Sequence, residues 1–241
     1  MMNGRAQPHA TLVGGGARTL EVRYRSPSSF LVAYAVHLSK GELFLETTHP
    51  LPLGAKVSLR LGGPFEPPLE LVGHVTAVRP AATGPGHPAG IRIALDSSIE
   101  AHGPRIDQLA ARYSPIRILL AMTEPTSRAI VGRYLRSILT CELVEVGGGT
   151  GTETPPLEDN IELCVVDLDA SGSAAEALVQ TLKFGAVGAD IPVIALAQSE
   201  QDRARGGALG AEEVLPNPPA FPDLQASVIH ALSRPASWSE P

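Results

Sequence analysis

Two patterns of apolar and polar residues divide the chain. Between residues 20 and 95 the apolar positions come in short runs. LEVRYR alternates, FLVAYAVHL is rich in β-branched and aromatic residues, and ELFLET alternates again. KVSLRL, LELVGHVTAV and GIRIAL follow, separated by turns such as HPLPLG, GGPFEPP and TGPGHPAG. About six strands at this spacing predict a small antiparallel barrel or sandwich. Gly103-Pro104 then introduces a helix with Pro at its first position, and Ile106, Leu109 and Tyr113 share one face that can pack on a barrel end.

After Ser114-Pro115 the pattern changes. IRILLA reads as a buried strand, and Pro125 opens a helix carrying Ile130, Val131, Tyr134, Leu135 and Ile138. CELVEV and IELCVV are further strands, followed by a helix over about 174–183 and the strand IPVIAL. A polar helix over about 200–209, a short strand at EEVL and a last helix over 221–233 complete the series. Buried strands alternating with helices predict a parallel, doubly wound sheet. The chain therefore divides into a flexible tail (1–17), a β domain (18–114), an α/β domain (115–234) and a frayed end (235–241) whose lone Trp238 docks on the surface.

Composition narrows the function classes. The 241 residues are 44% hydrophobic but only 4% aromatic, so both cores must be aliphatic. Cys141 and Cys164 lie inside apolar runs and read as buried thiols. No secretory leader opens the chain and no apolar run nears the ~18 residues of a membrane span, so a cytoplasmic protein without membrane insertion is expected. Residues 1–115 carry a balance of +3 and residues 116–241 one of −9; six of the seven His fall in the first half. That asymmetry makes the first half compatible with an anionic ligand, but no Lys/Arg run or aromatic-interleaved basic patch suits nucleic acid. Gly14-Gly15-Gly16 lacks the following helix and Lys of a phosphate loop. No Ser/His/Asp order, HExxH helix or CxxC pair marks a hydrolase, transferase or metal site.

The run VRYRSPSSFLVAYAVHLSKGELFLETTHPLPLGAKVSLRL, continued by LVGHVTAV and AGIRIAL, resembles the PilZ family, and most closely its subgroup in gliding-motility signalling proteins. The Ser39 turn, the PLPLG turn at 50–54 and the strand Gly90-Ile91-Arg92-Ile93 carry the resemblance over about 18–113. It implies an all-β, six-stranded barrel with a C-terminal helix, and cyclic di-GMP as the ligand. The family uses an Arg-rich segment whose guanidinium forks stack on guanine and pair with phosphate. It adds an Asp/Asn-x-Ser-x-x-Gly turn, whose Gly lets the backbone come close. Carried onto this sequence, the binding positions are Arg18, Arg23, Arg25, His37, Ser39 and Gly41. His37 replaces the Asp/Asn, Glu42 stands at the final Gly, and no two Arg are four apart. A carboxylate beside a dianionic ligand costs on the order of 1 kcal/mol. Cyclic di-GMP binding is expected to be weak or lost.

Residues 116–234 resemble a response-regulator receiver domain, through ILLAMTEPTSRAIVGRYL, CVVDLD, IPVIALAQ and LGAEEVLPNP. The resemblance implies a flavodoxin-like sheet with a phospho-acceptor at Asp167, on the end of the apolar run Cys164-Val165-Val166. Receivers also need an acidic pair for Mg²⁺, a hydroxyl after the fourth strand and a Lys before a Pro after the fifth. Here Met122-Thr123 stand at the acidic pair with Glu124 beside them, Ala197 at the hydroxyl, and Asn217 at the Lys. Loss of metal and Lys together removes most of what stabilises a transferring phosphoryl group. Asp167 is then an inactive acceptor, and Mg²⁺, if held at all, would use Glu124 and Asp167. The connection GGGTGTETPPLED stands where receivers place a helix, and its Gly and Pro oppose one by ~1 and ~3 kcal/mol each.

The expectation is a non-enzymatic bacterial signalling adaptor with catalytic residues and cofactor absent. Its partners would be signalling or motility proteins, met through the surface around Ala197, Gln198 and Glu212-Glu213. A cyclic di-GMP sensor with the second domain as output is the alternative, and a phosphorylatable regulator using Asp167 the third.

Overall fold

The structure is a computed structural model that describes residues 17–80, 88–146, 160–168, 173–184 and 191–240. The triple glycine at 14–16, most of the predicted N-terminal tail and the GGGTGTETPPLED connection lie outside the described residues.

The first part of the chain runs β1 (Arg18–Arg23), α1 (Pro27–Val36), β2 (Glu42–Glu46), β3 (Lys56–Gly62), β4 (Leu69–Arg79), β5 (Gly90–Leu95) and α2 (Gly103–Ala110). The second runs β6 (Ile116–Ala121), α3 (Pro125–Ile138), β7 (Cys141–Val146), β8 (Ile161–Asp167), α4 (Ser173–Phe184), β9 (Val193–Ala197), α5 (Glu200–Ala208), β10 (Glu213–Pro216) and α6 (Phe221–Ser233). A last strand, β11 (Ser237–Ser239), follows.

The first sheet has the order β11-β1-β3-β4-β5-β2. All its pairings are antiparallel except β1 with β3. Alternation does what it predicts: Val57, Leu59 and Leu61 of β3 are buried while Ser58 and Arg60 turn outward. Trp238 of β11 donates its indole N–H to the Glu46 carbonyl of β2 at 2.7 Å, joining the two outermost strands across the seam of a curled sheet.

Two expectations for this half need correction. Most of FLVAYAVHL, Phe30 to Val36, lies in α1 and not in a strand, so the first half is not all-β. Ser26 caps the helix, accepting from Ser29 N at 3.0 Å, and Pro27 occupies the first turn. The helix carries no apolar stripe because it is covered on several sides: Phe30 and Ala33 enter the first core, and Val32 packs on the second. The second correction concerns the sixth strand, which comes from the far end of the chain. Residues 235–241 contain β11, with Val22 opposite Trp238 on β1, where a frayed tail was expected.

The second sheet is parallel throughout, in the order β10-β9-β8-β6-β7. Numbered within this half the order is 2-1-3-4-5 read from the other edge, the flavodoxin-like doubly wound arrangement. One face is covered by α3 and α6 through Val131, Leu135, Leu224 and Val228. The other is covered by α4 through Ala175, Leu178, Val179 and Leu182. Burial on both faces explains why β8 reads, after Glu162, as the apolar run Leu163-Cys164-Val165-Val166 ending at Asp167. No helix among the described residues is long and apolar enough to cross a membrane.

The halves meet where α1 packs on α6. Ser29 Oγ donates to the Leu232 carbonyl at 2.7 Å, and Ser26 Oγ to Glu162 Oε2 at 2.5 Å. One helix thus closes the core of the first half and docks the second.

Candidate functional site

Two places hold the chemistry. At the carboxyl end of β8, Asp167 is only 2% exposed. Asn217, just past β10, donates Nδ2–H to Asp167 Oδ1 at 3.0 Å, and its own backbone N–H reaches the Ala197 carbonyl at 3.2 Å. This is the residue that the sequence reading set at the Lys position, and its amide contacts the carboxylate without adding positive charge of its own. Met122 is buried, and Ala197 is fully so. Glu124 serves its own helix instead. It is the N-cap of α3, accepting from Thr126 N at 2.9 Å and Ser127 N at 2.5 Å. Those two backbone bonds hold its carboxyl down at about 2. Among the described residues no group of three or more His, Cys, Asp or Glu is arranged to hold a metal ion.

The residues expected around cyclic di-GMP are dispersed. Arg18 pairs with Glu240 at 3.3 Å. Arg23 ends β1 exposed, its carbonyl accepting from Ala236 N at 2.8 Å. Arg25 Nη2 donates to the Ala231 carbonyl of α6 at 2.5 Å, so this guanidinium works at the junction of the halves. His37 follows α1, with Nε2 3.5 Å from Ser233 Oγ. Burial, aided by the Lys40 charge, lowers its pKa. Ser39 Oγ turns back to the Ala35 carbonyl at 3.4 Å, and Gly41 adopts φ 75° in the left-handed region where Gly is favoured.

The second place is the junction itself. A cleft of about 480 Å³ lies between β2, β4 and β5 on one side and β10 and α6 on the other. His37 lines it, together with Phe44, Arg79, Arg92, Asp223 and His230. His230 is clamped at one end. Its Nδ1 lies 2.9 Å from Glu213 Oε1 and its Nε2 3.6 Å from Glu46 Oε1. Bonds to Glu213 and then Glu46 outweigh burial and raise its pKa to about 9, so the ring is cationic at neutral pH. Burial alone would raise the pKa of Glu46, but the His230 bond and the Arg234 charge bring it below the ordinary value. Glu213 is lowered in the same way by His230 and Ser227. Arg234 bridges Glu46 at 3.2 Å and Glu212 at 3.3 Å, and Glu212 also takes Lys183 and, at 2.5 Å, Val193 N. Glu212-Glu213 was expected on an outward signalling surface; both carboxylates are instead engaged within the fold. No motif announces this cluster. The one available signal was that His230 is the only His of the second half.

No family model matches the chain, and no curated protein matches it. Solved structures similar to it align with about half of its length. The receiver domain of the sensor histidine kinase PA1611 from Pseudomonas aeruginosa PAO1 is 19% identical over 50% of this chain and 98% of its own, with TM-score 0.41. The signal receiver domain of a DNA-binding response regulator (merR) from Colwellia psychrerythraea 34H is 19% identical over 49% of this chain and 99% of its own, with TM-score 0.41. The chemotaxis protein CheY4 of Vibrio cholerae is 15% identical over 49% and 99%, with TM-score 0.42.

Proposed function

We propose that this chain is a non-enzymatic signalling adaptor, in which a PilZ-like curled sheet and a receiver-like sheet are joined as one binding body in bacterial motility or surface-behaviour control. The observation that carries the reading is at the end of β8: Asn217 offers Asp167 a neutral amide where the resemblance calls for a Lys, and Glu124 caps the α3 N-terminus. Phosphoryl transfer needs positive charge where the equatorial oxygens develop theirs, and an amide does not supply it. The PilZ and motility components rest on sequence resemblance. The test is incubation of the intact chain with acetyl phosphate and Mg²⁺, followed by intact mass measurement. The expected result is no phosphoryl adduct. An adduct that Asp167→Ala abolishes would replace this reading with a phosphorylatable regulator.

The second reading, a cyclic di-GMP sensor, is favoured by the left-handed Gly41 two residues after Ser39, a turn that admits close approach of a ligand. Against it, Arg25 is bound to α6 and Arg18 to Glu240. Calorimetric titration separates the readings: the adaptor gives no micromolar binding, whereas the sensor gives binding that Arg23→Ala weakens.

A further inference from the structure

Strand β2 is an outermost strand of the first sheet, and its open side lies on the cleft. The phase of its ladder with β5 is fixed by Leu95 N–H on the Gly41 carbonyl at 2.8 Å and Thr47 N–H on the Ala89 carbonyl at 3.0 Å. Bonding pairs alternate in an antiparallel ladder, so Leu43 and Leu45 bond to β5 while Glu42, Phe44 and Glu46 turn their backbone groups the other way. Two of these groups are already used: Glu42 N–H bonds the His37 carbonyl at 3.2 Å, and the Glu46 carbonyl takes Trp238. Between them Phe44 offers an N–H and a C=O to the open edge, a ready template for one more strand.

The side chains around that edge are charged in a particular way. Arg92 stands directly across the ladder from Phe44, and the Arg79 guanidinium lies 4.8 Å from the Phe44 ring centroid. Among the described residues neither Arg forms an ion pair. Glu42 and Asp223 also border the cleft, so a polyanion would meet repulsion as well as attraction. The combination suits a chain whose backbone bonds β2 and which carries a single acidic side chain beside Phe44.

We propose that the cleft takes an extended peptide segment of a partner protein as an added strand on β2, with an Asp or Glu of that segment held between Arg79 and Arg92. Backbone bonds to Phe44 give the affinity and the two guanidinium groups select the side chain. This rests on the adaptor reading and names the chemistry of the partner it would engage.

The test begins with a random peptide display library selected on the intact chain, followed by calorimetry with a synthetic peptide of the enriched sequence. The expected peptides carry an acidic residue within a Pro-free stretch. Phe44→Ala keeps the edge N–H and retains binding within about threefold, whereas Phe44→Pro removes that N–H and weakens binding by about tenfold or more. The Phe44 N–H faces away from β5, so Pro there spares the ladder. R79E/R92E should weaken the same peptide by at least about tenfold. If Phe44→Pro fails to fold, N-methylation of the peptide's central amides against wild type reads the same bonds. Absence of enriched peptides, or binding indifferent both to edge blockade and to the Arg reversals, overturns the proposal. Failure here with no phosphoryl adduct on Asp167 leaves the adaptor reading intact. An adduct defeats that reading whatever the peptides do.

Discussion

The carboxyl end of β8 and the junction at His230 both draw acidic side chains out of water, and they are built on opposite terms. Asp167 is almost fully buried beside a neutral amide. Glu46 and Glu213 are more exposed, yet both answer to a cationic His230, and Glu46 also to Arg234. A carboxylate set for phosphoryl chemistry needs cations around it; among the described contacts, Asn217 gives Asp167 a neutral amide, while His230 and Arg234 stand at the seam. The charge that a receiver would concentrate at its strand ends is used in this molecule to hold two halves together.

The largest effect should follow from loosening the seam at β11. Trp238 supplies packing against the first core and the 2.7 Å bond to Glu46. Trp238→Ala is expected to destabilise the chain by about 3 kcal/mol, read from denaturant midpoints. Because α1 belongs to both cores, the two halves should lose structure in one transition. Separate transitions by near-ultraviolet and far-ultraviolet signals would show that the junction is merely a contact between independent halves.

A smaller effect comes through pH. His230 has a folded pKa raised from 6.5 to about 9, so its contribution is complete below about 6.5 and is lost as pH rises through about 9. Glu46 and Glu213 are lowered from 4.5, so theirs is present above 4.5 and is lost as pH falls through the depressed values. Stability should therefore peak between about 4.5 and 6.5 and decline on the alkaline side by about 1–2 kcal/mol, allowing for screening of the part-exposed ring. His230→Gln should flatten that alkaline decline. An unchanged profile in the variant would locate the titration elsewhere.

What the sequence made legible follows from the reach of each interaction. Strands of the second sheet were readable because burial on two faces leaves a continuous apolar run, as in Cys164-Val165-Val166 before Asp167. The same apolar run led the sequence reading to Asp167, and the structure puts Asn217 beside it. Helix α1 was hidden because contact with two cores removes the periodicity that marks a helix, leaving its aromatic and β-branched residues to suggest a strand. The Ser26-Pro27 start signal was the better guide. Strand β11 is only three residues long, and nothing local marks it: its pairing with β1 spans more than two hundred residues. The junction cluster draws on Glu46, Glu212, Glu213, His230 and Arg234, which come from distant segments and meet only after both halves fold.

The smallest effect is the most discriminating, because it concerns the carboxylate that first suggested a function. Asp167→Asn removes a buried charge and keeps the shape of the side chain. The new amide can turn its Oδ1 toward Asn217 Nδ2, preserving the 3.0 Å bond as a neutral pair. Loss of the stronger charged bond is then offset by relief of the desolvation that an ionised group suffers in such a place. The net change should lie within about 1 kcal/mol of zero, and peptide binding in the cleft should be unaltered. A working acceptor site would behave differently, since function there tolerates a buried charge at the expense of stability. Strong stabilisation by Asp167→Asn, together with loss of partner binding, would mean that the strand end still governs the molecule and that the seam only supports it.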